Sequence, residues 1–383
     1  MLVATFWIAL LLGVYPYLIY PLAVRVLAVL VRRPVRADDA YLPSVTVVTA
    51  AFNEAHHIEA TVRNKLAQDY PGDRLEVLVV SDGSDDGTDE LVTRIATEDA
   101  RVRLIRQVPR QGKTSGLNLA VPQARGEIVV FADANSIYRP DALRRLIRNF
   151  GDARVGYVTG QMLYVNADGS LVGDGCSAYM RYENMLRRAE TRIGSIVGVD
   201  GGVDAARKAL YRPMRPDQLP DFILPLNVVQ QGYRVVYEPD AVLNEDTLTT
   251  QAAEYRMRVR VALRSFWALW DKRALLNPLR FGLFSWQLFS HKLLRYLSFV
   301  PLAVAAVTNW WLFRESPVYQ LAALAQVLFA LLVVLALTGP RALANNALSR
   351  YCYYFFLLNW SSAVAFRRFL AGQKQVLWQP RVG

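Results

Sequence analysis

Two cysteines and three histidines are all that this chain of 383 residues holds of those types. Cys176 and Cys352 stand far apart and form neither a paired framework nor a metal-ligand cluster. That excludes a disulfide scaffold or zinc module, reads both as small buried apolar residues, and places the soluble part in a reducing compartment. His56 and His57 are neighbours at a helix start and His291 lies far off, so no histidine metal or acid–base site is expected. No serine or cysteine nucleophile motif with a recognisable base occurs, and internal repeats and low-complexity tracts are missing. The net charge is +11, yet zinc-finger, homeodomain and RNA-recognition signatures are absent, which argues for no nucleic-acid partner.

Apolar and basic residues are what the chain has in quantity. At 53% hydrophobic and 20% charged it is too apolar for an ordinary soluble enzyme and too charged for spanning helices alone. Its length allows one sizeable globular domain plus several membrane segments. Residues 2–31 are apolar except for Arg25, long enough to cross a hydrocarbon core of about 30 Å at about 1.5 Å per residue. They lack a charged leader and a cleavage site, so they read as an anchor rather than a signal peptide. Arg32, Arg33 and Arg36 follow the anchor, which puts the next domain on the cytoplasmic side of a bacterial-type inner membrane and the amino terminus outside. Arg and Lys clustered beside apolar segments make membrane lipids an expected partner.

From 43 to about 244 short β-branched runs alternate with polar helix-like stretches, the pattern of βαβ units around a mostly parallel sheet. Strands are expected at 44–50, 75–81, 102–106, 128–132 and 235–237, and helices at 55–68, 88–98 and 141–150. Asp85, Asp86 and Thr88 supply the turn and cap of the second helix. Beyond 247 the chain turns membrane-proximal. Residues 253–271, with Arg256, Arg260 and Arg264 at helical spacing, and 279–295, with His291, Lys292 and Arg295 among aromatics, suit amphipathic helices in the headgroup region. Residues 296–313 and 318–338 form a spanning hairpin around a short loop. Asn359, Ser361 and Ser362 interrupt 351–366, and Arg367, Arg368, Lys374 and Arg381 follow it, favouring an interfacial or re-entrant segment. The domains are thus a membrane anchor at 1–31, an α/β domain at 41–250, interface helices at 251–295, a membrane region at 296–366 and a basic tail at 367–383.

Three loops carry oxygen-rich chemistry. The first strand runs into Thr49-Ala50-Ala51-Phe52-Asn53-Glu54, at the carboxyl edge where α/β sheets bind ligands. The second runs into Ser81-Asp82-Gly83-Ser84-Asp85-Asp86-Gly87-Thr88, where Asp82 suits a hydrogen bond to a base or ribose, against the alternative of a capped turn with solvated acids. The fourth ends in Asp133-Ala134-Asn135, a carboxylate and an amide oxygen suited to Mg²⁺ or Mn²⁺ shared with phosphates, against the alternative of a plain turn.

Together these motifs resemble the inverting family 2 glycosyltransferases of GT-A (Rossmann-like) fold, particularly the membrane-integrated, synthase-like members that make exopolysaccharides. The resemblance includes the leading anchor, Asn53-Glu54, Ser81-Asp82-Gly83-Ser84, Gly112-Lys113-Thr114-Ser115-Gly116-Leu117-Asn118, Asp133-Ala134-Asn135 in place of Asp-x-Asp, 233–239 and the closing membrane helices. It implies a nucleotide-sugar donor, UDP in kind, and a saccharide or lipid-linked acceptor. Asp82 would hold the uridine with the 50–54 loop (Ala50, Asn53, Glu54), Lys113 and Asn118 would approach the diphosphate or donor sugar, and Asp133 and Asn135 would bind the metal. The general base falls on Asp221 in Pro220-Asp221-Phe222, where Pro220 replaces the usual acidic neighbour; its alternatives are a helix cap and the pair Glu245-Asp246. The family's Gln-x-x-Arg-Trp signature maps onto 257–261, where Arg258 and Arg260 remain as donor-binding residues, with Arg260 the one for the diphosphate, and the Gln and Trp are missing. Two other readings stand beside a polysaccharide synthase: single transfer to a polyprenyl phosphate, and a weakly catalytic membrane scaffold of a synthesis or export complex.

Overall fold

A computed structural model describes residues 1–165, 171–246, 251–340 and 346–377. The chain divides into two compact units. One comprises 30–165, 187–246 and the segment from 374; the other comprises 1–29, 166–186 and 247–373.

The first unit is built on one eight-stranded sheet of order β3-β2-β1-β4-β7-β6-β8-β5. Its strands are β1 (Val45–Ala51), β2 (Leu75–Ser81), β3 (Val102–Arg106), β4 (Ile128–Asp133), β5 (Ile137–Tyr138), β6 (Val155–Val165), β7 (Val203–Arg207) and β8 (Arg234–Asp246). The expected strands lie within these to a residue or so, except that 235–237 is only the start of β8. β1 and β2 are buried at every position, which explains their largely apolar, Val-rich content: an interior parallel strand is covered on both faces. Helices α3 (Ile58–Leu66) and α4 (Thr88–Glu98) cover one face, packing Ile58, Val62, Val92 and Ile95 on Val77 and Val79.

The parallel pattern holds for β3-β2-β1-β4 and stops there. β7 runs antiparallel to both β4 and β6, while β6 and β8 are parallel. β6 and β7 were not expected from the sequence, because glycines sit inside β6 and weaken its strand signature. Packing demands them: a Cβ on Gly156 would meet Leu210 at 2.6 Å and one on Gly160 would meet Ala241 O at 2.3 Å. Strand direction thus reverses beside β4, and the carboxyl ends of β1, β2 and β4 share one edge, with Ala50 opposite Asp133 and Ala51 opposite Ser81.

Among its described residues the second unit is helical. The expected single anchor is corrected to two helices, α1 (Leu2–Val14) and α2 (Ile19–Leu30), bent by 54°. Pro16 at the break has no N–H to donate, and in a continuous helix its ring would clash with a carbonyl of the preceding turn. The expected helix at 279–295 is likewise broken, into Pro278–Phe281, Leu283–Gln287, a π-turn at Leu288–Leu293 and Leu294–Leu297, with Gly282 at φ 55° between the first two. Pro317–Thr338 is the one described helix long and apolar enough to cross a membrane; α1–α2 and Leu283–Leu312 qualify only if each bent pair counts as one span. Phe6 and Ala9 of α1 pack on Ala305 and Leu312 of Phe299–Leu312. The segment 351–366 lies inside a longer helix, Ala347–Leu370, whose Phe366 and Phe369 pack on Phe266 of α9 (Gln251–Asp271). Cys352 is half-buried and free. The Cys176 side chain and Arg381 lie outside the described residues.

Candidate active site

The site is assembled at the shared carboxyl edge. Asn53, after β1, adopts φ 54°, a left-handed conformation that a short polar side chain tolerates. Its amide then faces the loop after β2, donating from Nδ2 to Asp85 Oδ1 (2.9 Å) and accepting from Asp85 N (3.0 Å). Glu54 N donates to Thr88 Oγ1 and Ala55 N to Asp86 Oδ2, each at 2.9 Å. The two loops are therefore laced together by their own polar atoms. Asp82 is buried behind them, and its carboxylate accepts from Gln107 Nε2 (2.5 Å), Gln111 N (2.8 Å) and Gly112 N (3.0 Å), with Arg110 Nε at 3.4 Å. Arg110 in turn lies over the Phe52 ring, 3.4 Å from its centroid. Asp82 thus holds the 107–112 loop beside the Phe52–Glu54 loop.

That loop ends at Gly112, φ 93°, and opens helix α5 (Lys113–Ala120). Lys113 Nζ donates to Asp133 Oδ1 at 2.7 Å and lies 3.7 Å from Asp221 Oδ1. Burial alone would pull this ammonium's pKa down; the Asp133 and Asp221 carboxylates outweigh it and hold the pKa above the ordinary lysine value. The same helix fastens the segment leading to Asp221. Asn118 donates to Met214 O (2.6 Å) and accepts from Met214 N (3.0 Å) and Tyr211 Oη (2.9 Å), while Thr114 Oγ1 donates to Gln218 O (2.9 Å). Asp221 occupies the first turn of α8 (Pro220–Gln230), where exposed N–H groups favour a carboxylate and Pro220 is preorganised for the helix start.

Between the two acids runs Gly201-Gly202. Gly201 has φ 93°, and a Cβ there would come within 2.8 Å of Asp221 Cγ; one on Gly202 would lie 3.6 Å from Asp133 Oδ2. At Gly201 only glycine allows the backbone so close to Asp221, and at Gly202 the side chain is excluded by Leu243, 2.7 Å from where a Cβ would sit. Two strand positions on lies Asp204, paired in register with Phe131 and Thr159 and fully buried. Burial pushes its pKa up to about 8; the Thr159 hydroxyl opposes this, and the charges of Asp221 and Asp200 add to it. Gly201, Gly202 and Asp204 were missed in the sequence, where the only sign was a glycine pair after a short apolar run.

The fold therefore brings Lys113, Asp133 and Asp221 together, with Ala50 near the end of β1, Asn53, Glu54 and Asp82 on the adjoining loops, and Asn118 further along α5. Glu245 is buried within β8; the side chain of Asp246 lies outside the description. Arg258 and Arg260 belong to α9 in the helical unit. There Arg258 donates to Glu254 Oε1 (2.7 Å) and Tyr354 Oη (2.5 Å), and Arg260 is half-buried. His291 is taken up by Glu183 at 3.3 Å in that unit. Among the described residues no group of three or more His, Cys, Asp or Glu side chains is arranged to hold a metal. A divalent cation shared with a diphosphate needs only one or two protein oxygens, and the carboxylate of Asp133 with the amide oxygen of Asn135 is a donor set that fits one.

Residues 46–203 match the family described as Glycosyl transferase family 2. The chain is 29% identical over 226 residues to a poly-beta-1,6-N-acetyl-D-glucosamine synthase of Staphylococcus aureus, covering 58% of this chain and 54% of that protein. It is 27% identical over 192 residues to a beta-monoglucosyldiacylglycerol synthase of Trichormus variabilis, covering 49% of this chain and 41% of that one. At 54% the chain spans about half the length of the first of these relatives. A mannosyltransferase from Pyrobaculum calidifontis, solved in complex with GDP-Man and Mn²⁺, superposes with a TM-score of 0.73 at 25% identity, over 97% of this chain and 100% of that one. The mixed sheet is accordingly GT-A-like. Residues 46–203 of the chain are thus similar to glycosyl transferase family 2.

Proposed function

We propose that this protein is an inverting glycosyltransferase that moves a sugar from a nucleoside diphosphate donor to a saccharide or lipid-linked acceptor at the inner face of a membrane. The observation that carries it is the convergence of Asp133 and Asp221 on the Lys113 ammonium, at 2.7 and 3.7 Å. One carboxylate next to a neutral oxygen ligand suits the diphosphate end of a donor, and another at a helix start suits an acceptor hydroxyl. Asp221 takes the proton from that hydroxyl as its oxygen attacks the anomeric carbon from the face opposite the leaving group. The bond from that carbon to the diphosphate breaks, and the electron pair leaves with the nucleotide. Lys113 offers positive charge where the leaving diphosphate gains negative charge. A divalent cation, Mg²⁺ or Mn²⁺, held by Asp133 and Asn135 would supply further Lewis-acid stabilisation of that charge. Asp82, through the 107–112 loop, and the Ala50–Glu54 loop line the nucleoside end. The roles of Asn118 and Arg258 at the donor and of Arg260 at the diphosphate rest on motif position.

UDP is the nucleotide that the motifs favour. GDP-mannose is the second reading, favoured by the similarity to the mannosyltransferase solved with GDP-Man. The names of the two curated relatives support polysaccharide or glycolipid assembly as the setting. Purified protein offered a panel of nucleotide sugars with acceptor should release UDP or GDP only with Mg²⁺ or Mn²⁺, and Asp221→Asn should stop release. Turnover at the normal rate in that variant would refute the base assignment. Product sizing separates a polymer ladder from one sugar per lipid.

A further inference from the structure

Lysine is among the residues least often buried, yet Lys65 on α3 has no exposed surface. Its Nζ donates to Ser136 O (2.6 Å) and Asn64 Oδ1 (3.1 Å) and lies 3.6 Å from the centroid of the Tyr138 ring. Burial pulls the ammonium's pKa well below the ordinary value, with the Asp133 charge opposing, so the position is costly unless the donor has a task.

The neighbours of Lys65 indicate the task. Thr61 Oγ1 donates to Ala134 O (2.7 Å). Asn64 donates to Tyr138 O (2.9 Å) and accepts from Tyr138 N (2.8 Å), and Gln68 Oε1 accepts from Leu143 N (3.1 Å). Positions 61, 64 and 65 form one stripe at helical spacing on α3, and Gln68 lies in the bend just past its end. A stripe facing a sheet would ordinarily be apolar; here it is polar and, with Gln68, grips the chain from 134 to 143 at successive points. Within the turn, Ser136 Oγ also donates to Asp133 O at 2.8 Å. Ala134 O and Ser136 O, the carbonyls flanking Asn135, are therefore both anchored to α3.

We propose that Lys65 is a positioning residue for the cation site: by holding Ser136 O from beneath, with Thr61 on Ala134 O, it fixes the turn that presents Asp133 and Asn135 as ligands. The inference rests on the reading of Asp133-x-Asn135 as cation ligands. Groups that orient metal ligands from behind typically change metal affinity by about 10–100-fold when removed.

The test is the affinity of the full chain for UDP and for GDP by calorimetry, with saturating Mn²⁺ and with EDTA. Lys65→Met should lose on the order of tenfold of the Mn²⁺-dependent gain in affinity and keep the affinity measured in EDTA. A full Mn²⁺ gain in Lys65→Met overturns the proposal, as does an equal loss with and without Mn²⁺, which a merely structural role would produce. Should Lys65→Met not fold, Thr61→Val carries the same test, with a reduced Mn²⁺ gain supporting the proposal and an unaltered gain overturning it. Wild type with no Mn²⁺ gain, or Asp133→Ala that retains it, would instead remove the cation reading itself. The two failures are thereby distinguishable.

Discussion

Asp133 and Asp221 share one cation: Lys113 Nζ lies 2.7 Å from Asp133 Oδ1 and 3.7 Å from Asp221 Oδ1. The lysine is tied to two acids that the proposed reaction uses differently, one at the leaving diphosphate and one at the attacking hydroxyl. Replacing it should therefore affect chemistry more than folding.

Lys113→Met is expected to lower the rate of nucleotide release by about 100-fold or more, the scale seen when one stabilising donor is removed from a transition state. Single-turnover kinetics with acceptor present measures it. A near-normal rate would show that the lysine only neutralises Asp133 and Asp221 in the absence of donor.

Gly201→Ala should be more damaging than its size suggests. A side chain at φ 93° is strained, and its Cβ would sit 2.8 Å from Asp221 Cγ. The strain should cost about 1–3 kcal/mol in chemical denaturation, and displacement of the base should depress turnover while nucleotide affinity persists. Affinity lost together with turnover would count against the base assignment.

Asn135→Asp restores a second carboxylate to the turn. The concentration of Mn²⁺ needed for half-maximal activity should fall by about tenfold, because added ligand charge tightens a hard-cation site. A rise or no change would argue against Asn135 as a ligand.

Asp204 makes stability depend on pH in a definite sense. Its folded pKa is raised to about 8, from 3.8 when solvated, so between those values the folded form binds a proton that the unfolded form has lost. Stability should fall as pH rises from 4 towards 8 and level off above. Asp204→Asn should remove that slope and raise Tm more at pH 8 than at pH 5. Parallel melting curves across this range in wild type and variant would refute the buried neutral acid.

The parallel half of the sheet was readable in advance. β1, β2 and β4 are largely apolar runs ending at turn residues, since strands covered on both faces select apolar sequence, while β3 carries Arg103 and Arg106 and is only partly buried. The oxygen-bearing loops that follow them were readable for the same reason: they come at strand ends, where ligand contacts concentrate. β6 was not readable, since Gly156 and Gly160 answer to Leu210 and Ala241, residues far along the chain. The apolar run at 2–31 announced an apolar helical segment but not its 54° break, because hydropathy counts side chains whereas Pro16 acts on backbone hydrogen bonds.

By itself, then, the sequence determined the strands of the parallel half of the sheet, the family resemblance, and the chemical types available at each loop. Local propensity and burial period are written residue by residue. Only the tertiary structure decided that Asp133 and Asp221 meet on Lys113, that Gly201-Gly202 runs between them, and that Asp204 is buried at that edge. Those facts depend on β7 turning antiparallel beside β4 and on α5 holding the 211–218 segment. Long-range pairing of this kind leaves no local period for a sequence to display.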